Sequence, residues 1–219
     1  MIFQSPAQAI LAFTGAAALL TITPGLDTAL VLRTAAVEGP RRAMLAGLGI
    51  CLGCLVWAFA AAAGLGALLS VSSVAYDALR LAGAAYLVYL GVRLLVRKGG
   101  MTAGREAPPL GARAVDGGAS PRTWFFRGLL TNLLNPKVGI FYVTFLPQFV
   151  PAGVAVAPFS MLLGGIHAAE GMLWFGLLTV ATGSLSAWLS RPRVARTLDR
   201  ATGLLFLGIG IKLALDRGR

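Results

Sequence analysis

The sequence predicts an all-α polytopic membrane protein of six transmembrane helices, arranged as two inverted three-helix repeats in which helices 1 and 4 are broken. Three observations carry this. Of 219 residues, 57% are hydrophobic and only 12% charged, whereas soluble domains carry about 25% charged residues. The apolar residues fall in long blocks, several exceeding the roughly 18–20 residues that cross a bilayer. Two of the blocks, in matching places in the two halves, are interrupted by helix-breaking pairs. The alternation over about 10 residues that marks a membrane barrel is absent.

The first span covers Ala7 to Leu32, with a break at Pro24-Gly25. Its start lacks a basic segment and an A-x-A-like cleavage site, so the span is expected to be retained. The second span covers Ala43 to Leu69 and the third Ala75 to Val96. A linker from Arg97 to Thr123 follows, rich in Gly, Ala, Pro and Arg. The fourth span covers Trp124 to Val150, with a break at Asn135-Pro136. The fifth covers Pro158 to Leu189 and the short sixth Ala201 to Leu215. The chain is thus one transporter-sized domain: repeat 1 at about 1–98, a linker at about 99–121 and repeat 2 at about 122–219.

The net charge of +11 would suggest nucleic acid in a soluble protein. Here the basic residues lie between apolar blocks, where the positive-inside rule accounts for them, and no nucleic-acid partner is expected. Arg33, Arg41 and Arg42 follow span 1; Arg97, Lys98, Arg105, Arg113, Arg122 and Arg127 surround the linker; Arg191, Arg193, Arg196 and Arg200 precede span 6. The loops Ser70–Val74 and Pro151–Ala157 hold no Lys or Arg. The basic loops are therefore expected to be cytoplasmic and both termini outside, with Arg217 and Arg219 in the tail pulling mildly the other way.

The halves also match in short stretches. Thr23-Pro24 corresponds to Asn135-Pro136, and Leu90-Gly91-Val92-Arg93-Leu94 to Ile209-Gly210-Ile211-Lys212-Leu213. Three spans is an odd number, so the second half must be inverted. Inverted repeats with an interrupted helix at corresponding positions point to the binding site of a secondary transporter.

Each break is read as a cap followed by a restart. Thr23 and Asn135 suit the N-cap, Pro24 and Pro136 the first helical position, and Gly25 lets a ligand approach. The restarted half-helices would turn free N–H groups and positive dipole ends into the membrane, which suits an anionic group such as a carboxylate. Asp27 could pair with a substrate ammonium or take a coupling proton, since intramembrane carboxylates are functional by default. Lys137 could attract the carboxylate. The plainer reading is that Asp27 and Lys137 pair with each other, or only cap their helices, and that the breaks are packing kinks.

His167 and Glu170, three apart on span 5, share a face. With Asp27 they are the candidates for proton coupling; the plainer reading is a pair near the outer surface. One His and one Glu are too few for a metal site. Cys51 and Cys54 lie beside Gly49 and Gly53 in an apolar span, where small residues serve helix packing. The Gly49-xxx-Gly53 face would also permit a homodimer. Glu38 reads as a solvated loop residue. No cofactor motif or nucleophile-base set appears, so no enzyme is expected.

The chain resembles the LysE/RhtB family of amino-acid exporters. The matching segments are Thr23-Pro24-Gly25-Leu26-Asp27, Gly39, Gly47-Leu48-Gly49, Gly83-Ala84-Ala85-Tyr86-Leu87 with Tyr89-Leu90-Gly91, Asn132-Leu133 with Asn135-Pro136-Lys137, Phe141 and Leu146-Pro147-Gln148-Phe149. The family pattern is usually Pro-Gly-Pro-Asp, and Leu26 stands in place of its second Pro. The resemblance implies a multi-pass protein of the bacterial inner membrane, exporting amino acids or related small solutes, driven by protons. A cation or metal exporter on the same scaffold is an alternative, as is a thiol-disulfide electron carrier. The latter would need a cysteine in each repeat, and the second half has none.

Overall fold

The computed structural model describes residues 5–71, 120–181 and 191–215, together with helical positions between 81 and 96. Helix α1 runs Pro6–Ile22. Pro6 opens it, and the Ser5 hydroxyl caps it by accepting from the Gln8 N–H at 3.3 Å. Helix α2 (Leu26–Glu38) follows at a bend of 52°. Gly39 has φ +89°, a left-handed value that a glycine adopts freely, and lets α3 (Pro40–Val71) start at once. Helix α4 runs Pro121–Leu133 and α5 Pro136–Ile140, and their axes bend by 54°. Beyond α5 the path continues as a π turn, Phe141–Phe145, and a 3-10 turn, Leu146–Phe149. Pro147 contributes no N–H there, which excludes a regular α-helical ladder. Helix α6 is Val156–Val180 and α7 Pro192–Leu215.

Every described element is helical. Pro40–Gly64 of α3 and Val156–Val180 of α6, each 25 residues, are long and apolar enough to cross a membrane. They measure about 38 Å at 1.5 Å per residue, against a hydrocarbon core of about 30 Å. The bent pairs α1–α2 and α4–α5 also qualify if each is one span. Outward-facing Leu11, Phe59, Leu173 and Val180 are large, apolar and exposed, as suits a surface solvated by lipid.

Helix α3 packs along both α4 and α6. Glycines bring the backbones together. A Cβ added at Gly128 would stand 1.9 Å from the Ala46 carbonyl oxygen, and one at Gly49 2.0 Å from that of Phe125. Phe13, Phe141, Phe145 and Phe149 form one apolar cluster with Leu146 and Leu163. Leu30, Val31, Ala46, Ile50, Phe175 and Leu178 form another. Gly91 meets Gly203 and Leu207, while Gly210 meets Ala84 and Val88, so each of these glycines packs closely against the helix that carries the other.

Several expectations need correction. Helix α2 continues to Glu38, past the expected end at Leu32. Glu38 is no loop residue: it pairs with Arg42 one turn on, across Gly39. Helix α6 is described as far as Val180; the remainder of the expected span to Leu189 falls in residues 182–190, outside the described set. Helix α7 starts at Pro192, nine residues before Ala201, because its basic first turns are helical too. The Gly49-xxx-Gly53 face is not a dimer surface: Gly49 abuts Phe125 and Leu129, and Gly53 abuts Asn132. Most of span 3 and the linker through residue 119 lie outside the described residues.

Candidate functional site

The first break differs from the cap-and-restart expectation. Thr23 closes α1 rather than opening α2: its N–H donates to the Leu19 carbonyl at 3.1 Å and its hydroxyl to the same oxygen at 2.5 Å. That hydroxyl also meets the Thr202 hydroxyl of α7 at 2.7 Å. Pro24 is therefore not the first residue of a half-helix. Gly25, in extended conformation, is the N-cap of α2, and it lends no side-chain cap. The reason is local. A Thr side chain bonds equally well to the carbonyl four residues back, and Leu26 can start a helix where a second proline would not be required. The first amides of α2 thus remain without a capping side chain, and Asp27 lies in that turn.

The second break follows the expectation. Asn135 is the N-cap of α5, its Oδ1 accepting from the Lys137 N–H at 3.1 Å, with Pro136 just inside. The Asn132 carbonyl, left free as α4 ends, accepts from the Asn135 N–H at 3.0 Å and from the Trp57 indole at 3.4 Å.

The two breaks face each other. Lys137 Nζ donates to the carbonyl oxygens of Leu20 and Thr23, both at 3.0 Å, at the negative end of α1. Asn132 Nδ2 donates to Asp27 Oδ2 at 3.0 Å and points at Cys54 Sγ at 3.6 Å. Asp27 Oδ1 is buried with no hydrogen-bond partner. Asp27 and Lys137 each bond across the interface to the other half.

A cavity of about 40 Å³ lies between the apolar clusters, bordered by Thr21, Thr23, Gly25 and Asp27 on one side and by Asn132, Asn135 and Lys137 on the other. Its wall is completed by Cys51, Cys54 and His167 among others. Pro24, Pro136 and Glu170 are not among the described residues that border it. The volume suits a few waters, whereas a benzene-sized ligand occupies a cavity of about 150 Å³. A ligand of amino-acid size requires the walls to part.

His167 is buried at the cavity wall, and its Nδ1 lies 2.9 Å from the Tyr142 hydroxyl. Glu170 is half-buried, with Oε2 unpartnered. Cys51 and Cys54 are reduced and buried, and Cys51 Sγ donates to the Ala168 carbonyl at 3.3 Å. Sequence reasoning missed Asn132 and Tyr142 as members of the site. Asn132 carried a signal, a polar residue in the middle of an apolar span. Tyr142 carried none, because its partner is 25 residues away.

Two bent helices meeting at a buried, charged cavity inside an apolar bundle define a membrane protein with an intramembrane polar site. The model of the LysE type translocator family matches residues 18–217, and the chain belongs to that family. It is 30% identical to the uncharacterized membrane protein YrhP of Bacillus subtilis over 95% of this chain and 100% of that one. It is 30% identical to the threonine efflux protein of Escherichia coli, covering 90% of this chain and 92% of that one. With the homoserine/homoserine lactone efflux protein of Salmonella typhimurium it shares 29% identity over 91% and 92% of the two chains. No solved structure matches the chain.

Proposed function

We propose that this protein is a proton-coupled exporter of amino acids that works by alternating access. The observation that carries the reading is the mutual bonding of the two breaks around one polar cavity: Lys137 to the end of α1, Asn132 to Asp27. The efflux relatives support an amino-acid cargo. Lys137 and the uncapped amides at Gly25 to Asp27 receive the carboxylate, while Asp27 receives the ammonium and, when cargo leaves, the coupling proton. Thr23, Asn135, Pro24 and Pro136 shape the breaks; His167 and Glu170 are further proton carriers. The six-span, inverted-repeat arrangement is supported by the similar bends of 52° and 54°. The basic loops are cytoplasmic and the termini outside, in the bacterial inner membrane.

The test is efflux from cells loaded with a labelled amino-acid mixture, with and without expression of the protein. Faster loss of one or more amino acids, abolished by a protonophore, is the expected outcome. Equal loss of every amino acid overturns the reading.

A further inference from the structure

We infer that Gly53 and Asn132 form a seat that orients the Asp27 carboxylate, leaving Asp27 Oδ1 as the oxygen that takes the cargo's ammonium group. The inference rests on the exporter reading and adds two positioning residues to it. Three helices contribute: Gly53 from α3, Asn132 from α4 and Asp27 from α2.

The geometry is restrictive. A Cβ at Gly53 would lie 2.4 Å from Asn132 Oδ1, 2.8 Å from its Cγ and 2.9 Å from its Cβ. The amide thus lies directly over the Gly53 backbone, and no larger residue leaves it room. Asn132 is fully buried, so its rotamer is held by packing. With Oδ1 against Gly53, the amide nitrogen is turned to Asp27 Oδ2 at 3.0 Å. A carboxylate only accepts and an amide NH₂ only donates, so the reverse orientation would set two acceptors against each other. Asp27 is left with one oxygen bonded and one without a partner. An unpartnered buried carboxylate oxygen at a polar cavity calls for a donor-rich cation, and an ammonium supplies three N–H donors. For the carboxylate end of a zwitterion the same cavity is bordered by a cation, Lys137.

The test is amino-acid uptake into everted membrane vesicles with a labelled amino acid that wild type moves. Asn132→Ala and Gly53→Ala are each expected to raise the half-saturation concentration about tenfold, the scale of one hydrogen bond to a charged group, with the maximal rate kept within about twofold. A purely structural role would lower the maximal rate in step with the amount of folded protein. If Gly53→Ala acts by displacing Asn132, the double variant is no worse than Asn132→Ala alone. Should Gly53→Ala fail to fold, Asn132→Ala alone carries the test, because the Asn132 Cβ at 2.9 Å remains in the double variant. An unchanged half-saturation in Asn132→Ala overturns the inference, provided Asp27→Asn still blocks transport. Unimpaired transport by Asp27→Asn instead overturns the site reading on which it rests.

Discussion

Lys137, in the first turn of the second half-helix of one break, donates to the carbonyl oxygen of Thr23 at the other break, 3.0 Å away. The same ammonium reaches the Leu20 carbonyl. These carbonyls belong to the last turn of α1, where intrahelical donors have run out. A cation there satisfies them and complements the helix dipole. The bond therefore links the two broken helices, and cargo that recruits Lys137 must loosen it. If Lys137 receives the carboxylate as proposed, closure and binding compete for one side chain.

Lys137→Met tests this. The substitution keeps the length and apolar stem and removes the donors. Hydrogen bonds to charged groups are worth about 1.5–3 kcal/mol, so the thermal midpoint of the purified protein in detergent should fall. Efflux should fall by tenfold or more. A variant with wild-type efflux would remove Lys137 from cargo binding, whatever happens to its stability.

Asp27→Asn separates charge from shape. Asparagine can still accept the Asn132 amide bond through its own Oδ1, so the helix contact survives. What disappears is the carboxylate. Proton-driven efflux from proteoliposomes should be abolished while the unfolding midpoint stays near that of wild type. Full coupled transport by this variant would exclude Asp27 from the mechanism.

The position of both breaks was legible in the sequence because proline, glycine and a cap residue act locally. Asn135 and Pro136 behave as their propensities dictate. Thr23 and Pro24 do not, because a threonine can bond forward or back, and the choice is settled by Leu19 and by Thr202 in a distant helix. The restart at Leu26 follows from that choice. Long-range pairs were illegible for a different reason. Asn132 and Asp27 are 105 positions apart, and Lys137 and Leu20 117. Spacing along a helix says nothing about such partners. Gly53 shows the limit most clearly: a small residue beside another small residue in an apolar span reads as a helix-packing surface, and only the neighbouring helix α4 reveals that it packs inside the bundle.

Tyr142→Phe isolates one polar contact at the cavity wall. The ring remains to stack on His167, with centroids 5.6 Å apart, and only the hydroxyl is removed. His167 Nδ1 then loses its partner in a buried place. An unsatisfied buried group costs about 1–3 kcal/mol, so the unfolding midpoint should drop measurably. Because His167 borders the cavity, the maximal efflux rate should fall as well. Wild-type values for both would show that the bond is dispensable.

Glycine substitutions provide an internal control for the packing of α3 against α4. At Gly128 an added methyl meets backbone, 1.9 Å from the Ala46 carbonyl oxygen. Backbone cannot swing aside as a side chain does, so the helices must separate. Overpacking of this kind costs about 1–3 kcal/mol, and more when two long helices are pried apart. At Gly15, Gly165 and Gly176 nothing lies within 4 Å of the added methyl. All are helical, and there alanine is favoured over glycine by about 0.5–1 kcal/mol in water. Gly128→Ala should therefore lower the yield of monodisperse protein in detergent and its unfolding midpoint. Gly15→Ala, Gly165→Ala and Gly176→Ala should leave both unchanged or slightly raised. Equal behaviour of the two groups would mean that α3 and α4 do not make this close crossing in the membrane, and the approach of Asn132 to Gly53, one turn further along the same interface, would lose its support.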